Sequence, residues 1–151
     1  MTVTTIAVAA DHAGFALKER LKEALVARGA AVVDLGTMSE ESVDYPDNAH
    51  ALADALADGR AERGIAVCGT GIGISIALNR NPGVRAALCH DAFTAGMARK
   101  HNDANVLALG AKVVDEATAL ACLETFLTTE FEGGRHARRL GKLNRAEETP
   151  A

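Results

Sequence analysis

Short continuous apolar runs alternate with longer amphipathic stretches along the whole chain, and this rhythm limits the fold more than any other feature. The runs are 5–10 (TIAVAA), 31–35 (AVVDL), 65–68 (IAVC), 84–89 (VRAALC) and 105–109 (NVLAL). They are too short for helices, and they lack the in-and-out alternation of a strand with one wet face. Continuous apolar runs of this length mark strands buried on both faces of a parallel sheet. Helical periodicity fills the gaps, over about 14–28, 47–60, 73–81, 92–101 and 115–129. In the first helix Phe15, Leu17, Leu21, Leu25 and Val26 form an apolar stripe that stops at Gly29, a C-terminal cap. Asp91 and Asp115 stand where N-caps belong. Strand and helix in strict alternation predict a doubly wound, Rossmann-like five-stranded parallel sheet flanked by helices.

The length of 151 residues suits one domain spanning 1–151. Two segments break the rhythm: a polar loop over 36–47 (GTMSEESVDYPD), and a glycine hinge leading into a basic helix at about 134–146. An appended helix with no following strand is the kind that packs on a partner subunit, and the tail after it is expected to fray. The formal net charge of −4 argues against a general nucleic-acid or membrane-surface binder. No apolar stretch approaches the roughly 20 residues of a membrane span. Cys68, Cys89 and Cys122 are odd in number and contain no CxxC pair, so neither a disulfide framework nor a zinc site is expected and a reducing cytoplasm fits best.

Ligands of open parallel sheets bind at the carboxyl ends of the strands. That rule gathers Asp11 and His12 after the first strand, the polar loop after the second, and VCGTGIGIS (67–75) after the third. In the last of these, Gly69, Gly71 and Gly73 permit unusual backbone angles and the close approach of a ligand. The turn feeds a helix whose first N–H groups favour anions. Ile74 stands where a dinucleotide fingerprint needs glycine and where a cysteine phosphatase loop needs arginine, so neither reading holds. Cys68 is left as a thiol at a helix N-terminus, a position that favours thiolate, or as a small buried residue at a strand end. Asp11 also reads as an N-cap for a helix beginning near Ala13, and His12 and His101 as surface histidines. Arg135, Arg138, Arg139 and Lys142 share one face of the final helix, which is either a solvated basic face or a phosphate clamp.

Five ordered segments, DHAGFALK (11–18), DYP (44–46), CGTGIGISIALNR (68–80), RKHNDANVLALG (99–110) and EGGRHARR (132–139), together resemble the type B ribose-5-phosphate isomerases, whose superfamily also holds galactose-6-phosphate isomerase. The resemblance spans residues 5–145. It implies a homodimer, sometimes paired into a dimer of dimers, with active sites shared across the interface and neither metal nor other cofactor. It implies Cys68 as the base of an aldose–ketose isomerisation through an enediolate, with Thr70 beside the substrate's O1 and O2. Asp11 and His101 correspond to ring-opening residues, and His12, Arg135 and Arg139 to phosphate contacts. Asn102 and Tyr45 line the pocket, with His101 and Asn102 supplied by the second subunit. The amides of Gly69, Gly71, Gly73, Ile74 and Ser75 hold the developing oxyanion. Lys112 stands where many members carry a phosphate-binding arginine and keeps the charge without the bidentate fork. One branch uses a glutamate six residues after the cysteine position; that residue here is Ile74, which puts the chain with the cysteine branch.

Ribose 5-phosphate is the substrate the resemblance points to first. Allose 6-phosphate, galactose 6-phosphate or a tetrose phosphate are alternatives within the same chemistry. A catalytically silent sugar-phosphate-binding subunit is a reading from another class, but such a subunit is expected to lose catalytic positions. A thiol redox module lacks a resolving cysteine.

Overall fold

A computed structural model describes residues 4–145. Five parallel strands, β1 (Thr5–Ala10), β2 (Ala31–Asp34), β3 (Arg63–Cys68), β4 (Ala86–Leu88) and β5 (Val106–Gly110), form one sheet in the order β2-β1-β3-β5-β4. Six helices accompany them: α1 (Phe15–Ala27), α2 (Tyr45–Ala57), α3 (Ile72–Leu78), α4 (Ala92–Asn102), α5 (Glu116–Thr128) and α6 (Arg135–Leu140). The predicted architecture is present. The last strand inserts between β3 and β4, a pairing with no local signal in the chain.

Side chains alternate across the sheet. Ile6, Val8, Ile65, Val67, Leu107 and Leu109 face one core, with Leu21 and Leu25 of α1, Ala95 of α4 and Leu123 and Phe126 of α5. Ala7, Ala9, Ala66, Cys68 and Ala108 face the other, beneath Leu52 of α2 and Ile74 and Leu78 of α3. The second face is built of small residues, so its helices sit close. A Cβ at Gly64 would lie 2.6 Å from Leu52 Cδ2. Phe126 is fully buried, with the guanidinium groups of Arg63 and Arg99 at 5.6 and 5.9 Å from its ring. Removing such a side chain costs about 3–5 kcal/mol.

The structure corrects several boundaries. Only β1, β3 and β5 are sealed on both faces; β2 and β4 are edge strands and half-buried. Val26 faces solvent instead of joining the α1 stripe, and the inward position goes to Lys18, whose Nζ reaches both Asp34 oxygens at 2.8 Å. Asp11 is not the N-cap of α1, which begins at Phe15 after Gly14; Asp11 Oδ1 instead accepts the Gly14 N–H at 3.1 Å. Asp91 and Asp115 do cap α4 and α5 through Thr94 and Thr118. The basic helix expected over 134–146 is shorter, ending at Leu140 where Gly141 takes the cap. Its predicted end at 146 and the frayed tail lie outside the described residues. No helix among the described residues is long and apolar enough to cross a membrane.

Candidate active site

Residues that follow strands collect at the carboxyl edge of a parallel sheet, and those that precede them at the amino edge. The candidate residues divide between the two edges.

At the carboxyl edge Cys68 ends β3, almost fully buried, in register with Gly110 at the end of β5. The two following turns interlock. Ala111 N–H donates to the Cys68 carbonyl and Lys112 N–H to the Gly69 carbonyl, both at 2.9 Å. Gly71 takes φ +78 and caps α3, and its N–H donates to Cys68 Sγ at 3.2 Å. A side chain at Gly71 would press on Leu88 and on the Leu109 backbone, so glycine is required both for the angle and for the space. Thr70 Oγ1 accepts the Ile72 N–H at 3.3 Å and is otherwise exposed.

Burial pushes the Cys89 thiol up to about 11 and raises Cys122 as well, which leaves both as apolar packing. Cys68, by contrast, has the Gly71 N–H aimed at its sulfur. All three are free thiols.

Around Cys68, the Asp11 N–H donates to the Val67 carbonyl at 3.2 Å, which brings the turn after β1 against β3. Gly14 makes this possible, since a Cβ there would lie 2.4 Å from the Val67 carbonyl oxygen. His12 Nδ1 accepts the Val43 N–H at 3.2 Å, fixing the polar loop beside the site. The Tyr45 ring lies over Gly73, where a Cβ would come within 2.5 Å of Cζ. The Lys112 methylenes lie 3.7 Å from the Cβ position of Gly69. Asp11, His12, Tyr45, Gly69, Thr70, Gly71, Gly73 and Lys112 thus share one neighbourhood with Cys68. Ile74 contributes its side chain to the core, leaving only its amide for a ligand. Ser75 is committed internally, with its hydroxyl donating to the Ile72 carbonyl and its amide to the Gly71 carbonyl.

His101 and Asn102 are at the opposite edge. They end α4, which runs back from β4 to the start of β5, so they lie near the residues preceding Val106. Arg99 there bonds the Ala104 carbonyl and Asp103, and Arg85 bonds Asp103 and Asn105. The helix α6 packs on α4, which brings Arg135 and Arg139 to the same edge. The His101 and His136 rings stack at 4.2 Å with a 14° tilt. Burial first, and then the positive field of His101 and Arg135, hold His136 below the ordinary histidine range. A cleft of about 440 Å³ beside β4 includes Asn102, Arg85 and Leu140 in its wall. Cys68 is not among the residues of its wall.

A five-residue strand at about 3.3 Å per residue separates the two edges by roughly 16 Å. Two clusters that the sequence motifs join are therefore kept apart within one chain. Gly14 and Gly110 also matter to the site without having been singled out from the sequence. Each lies within a motif, but only the crossing backbone reveals its role.

Residues 6–143 match the profile of the family described as Ribose/Galactose Isomerase. The chain is 44% identical over 143 residues to ribose-5-phosphate isomerase B of Escherichia coli, covering 95% of this chain and 96% of the relative. It is 43% identical over 140 residues to D-erythrulose-4-phosphate isomerase of Pectobacterium atrosepticum, covering 92% of each. Among solved structures, ribose-5-phosphate isomerase B of Clostridium thermocellum superimposes with a TM-score of 0.92 at 50% identity, over 93% of this chain and 95% of the other.

Proposed function

Because the chain belongs to the ribose/galactose isomerase family, we propose that it interconverts ribose 5-phosphate and ribulose 5-phosphate with Cys68 as the base. The supporting observation is the carboxyl-edge constellation, in which one partly screened sulfur stands among Asp11, Thr70 and the free end of α3. Asp11 and His101 open the sugar ring. The Cys68 thiolate takes the proton from C2, the electron pair forms the C1–C2 double bond of an enediolate, and O1 receives a proton. The Cys68 thiol then returns a proton to C1 while O2 loses its own and becomes the ketose carbonyl. Thr70 passes protons between O1 and O2. The Gly73 and Ile74 amides, which the first turn of a helix leaves unbonded, face the developing negative charge. His12, Lys112, Arg135 and Arg139 hold the phosphate, so that binding energy remote from C1 and C2 sets their orientation.

The division of these residues between two sheet edges supports a homodimer in which each site takes Cys68 from one chain and His101, Asn102, Arg135 and Arg139 from the other. A two-fold axis makes two such sites at once, and pairing of dimers is compatible with this arrangement. Free, buried thiols fit a reducing cytoplasm.

Relatives named for a pentose phosphate and a tetrose phosphate are 44% and 43% identical to this chain, so substrate length is the point to test. A coupled isomerase assay across tetrose, pentose and hexose phosphates should give the highest kcat/KM on ribose 5-phosphate. Cys68→Ala should lower it by about 10²–10⁴-fold, the contribution of a proton-transferring base. A higher value on erythrose 4-phosphate or a hexose 6-phosphate moves the substrate assignment, and an unimpaired Cys68→Ala enzyme removes the cysteine mechanism.

A further inference from the structure

We propose that His101, Glu132 and His136 form a binding site for a transition-metal dication of the zinc class, and that its occupancy withdraws His101 from catalysis. The second half rests on the role given to His101 above. Two imidazoles and a carboxylate each bring one ligand-type atom within 4.8 Å of the other two, the single such group of three among the described residues. Glu132 Oε1 lies 3.6 Å from His136 Nε2 and 3.9 Å from His101 Nε2. These gaps are too long for hydrogen bonds. Donors around a tetrahedral zinc at about 2.0–2.1 Å stand roughly 3.4 Å apart, so the two gaps to Glu132 need contract only by a few tenths of an ångström.

An independent observation points to a ligand at this place. His136 is almost fully buried, and its Nε2 has no hydrogen-bond partner although the Glu132 carboxylate stands 3.6 Å away. A buried nitrogen left this way is costly, and a metal ion satisfies it.

The backbone holds the three residues in place. Glu132 N–H donates to the Lys100 carbonyl at 3.1 Å, Arg99 Nε donates to the Thr129 carbonyl at 3.2 Å, and His136 N–H donates to the Gly133 carbonyl at 3.1 Å. The segment before α6 is thereby pinned to the end of α4. The half-exposed sides of His101 and Glu132 leave room for a water as fourth ligand.

Binding also requires a change. In the stacked arrangement the two nitrogen lone pairs lie in nearly parallel planes and do not converge on one point. His136 is enclosed, so the half-exposed His101 ring must turn toward Glu132. A His101 ring fixed on a metal cannot reach a sugar oxygen. Arg135 and Arg139 lie nearby and oppose any cation, which favours ions with a strong preference for imidazole, such as Zn²⁺, over Mg²⁺ or Ca²⁺.

The test is equilibrium dialysis of the full chain against Zn²⁺ without substrate, with bound metal counted by elemental analysis. Wild type and Cys68→Ser should each hold one Zn²⁺ per chain, while Glu132→Gln and His136→Gln should bind at least about tenfold more weakly. Glu132→Gln leaves the buried His136 in place and guards against a folding defect in His136→Gln. No saturable binding, binding lost in Cys68→Ser, or binding unchanged in Glu132→Gln overturns the site. In the isomerase assay Zn²⁺ should inhibit wild type, and Glu132→Gln should need at least about tenfold more metal for the same loss. Binding at the triad without inhibition overturns the link to His101. A protein that turns over no sugar phosphate defeats the functional reading, and the dialysis still decides the metal site.

Discussion

Replacing Gly110 by alanine tests whether the site depends on the packing of two turns from distant parts of the chain. Gly110 lies in register with Cys68, and a Cβ there would stand 2.4 Å from the Thr70 carbonyl oxygen, 2.5 Å from its carbon and 2.8 Å from its Cα. Such a contact is roughly 0.6 Å or more inside any ordinary approach, and every atom it meets is backbone, so no side chain can swing aside. The turn carrying Thr70 must move by roughly 0.5–1 Å. Overpacking of this kind costs about 1–3 kcal/mol of stability, which leaves a domain of ordinary stability, about 5–15 kcal/mol, still folded. Displacing a catalytic group by about 1 Å costs on the order of 100-fold in rate. Gly110→Ala should therefore melt somewhat earlier and lose about two decades of kcat/KM, most of it in kcat. Gly96→Ala is the control. Its Cβ meets only Thr125 Cγ2 at 3.4 Å inside α4, so stability should hold or rise by up to about 1 kcal/mol with unchanged turnover. A folded Gly110→Ala enzyme within about threefold of wild-type kcat/KM would refute the argument that this contact positions Thr70.

Mixing inactive Cys68→Ala chains with inactive His101→Ala chains should restore about a quarter of wild-type activity, because half the dimers are hybrids and each hybrid carries one complete site; no recovery after subunit exchange would place His101 with the Cys68 of its own chain. Arg135→Ala and Arg139→Ala should each raise KM for the sugar phosphate with a smaller effect on kcat, and an unchanged KM in both returns them to a solvated face. Lys18→Met should lower stability by about 2–4 kcal/mol, since it strips a buried ion pair from Asp34 and leaves Lys22 as its one cationic partner beside the Gly36 amide; a urea titration showing less than about 1 kcal/mol at fixed protein concentration contradicts this. Burial by itself raises Asp34, but the hydrogen bonds from Lys18, the Gly36 amide and Lys22 outweigh it and hold the carboxyl below the usual range. That stabilisation is present above the unfolded value of about 3.9 and is lost as pH falls through the folded one. Wild type should accordingly lose more stability than Lys18→Met between pH 5 and pH 2; parallel curves would speak against the pairing.

Local physics made much of this protein legible in its sequence. Runs such as TIAVAA and NVLAL bury both faces and are strands in a parallel sheet, whatever their neighbours turn out to be. Asp91 and Asp115 cap helices through a purely local contact, each carboxylate accepting the amide three residues on. The glycines around Cys68 announce a turn, and Gly71 at φ +78 supplies it. Lys18 shows where such reading stops: its inward place on α1 depends on an acceptor, Asp34, that only the β1–β2 pairing brings within reach.

Strand order belonged to the tertiary structure alone. Nothing in residues 84–110 says that β5 enters between β3 and β4, because strand pairing is a long-range choice made by backbone hydrogen bonds and not by side-chain pattern. That choice sets Gly110 against Thr70, Val67 against Gly14, and the end of α4 a full strand length from Cys68. The motifs name the candidate groups, and the path of the chain divides them between the two edges of the sheet.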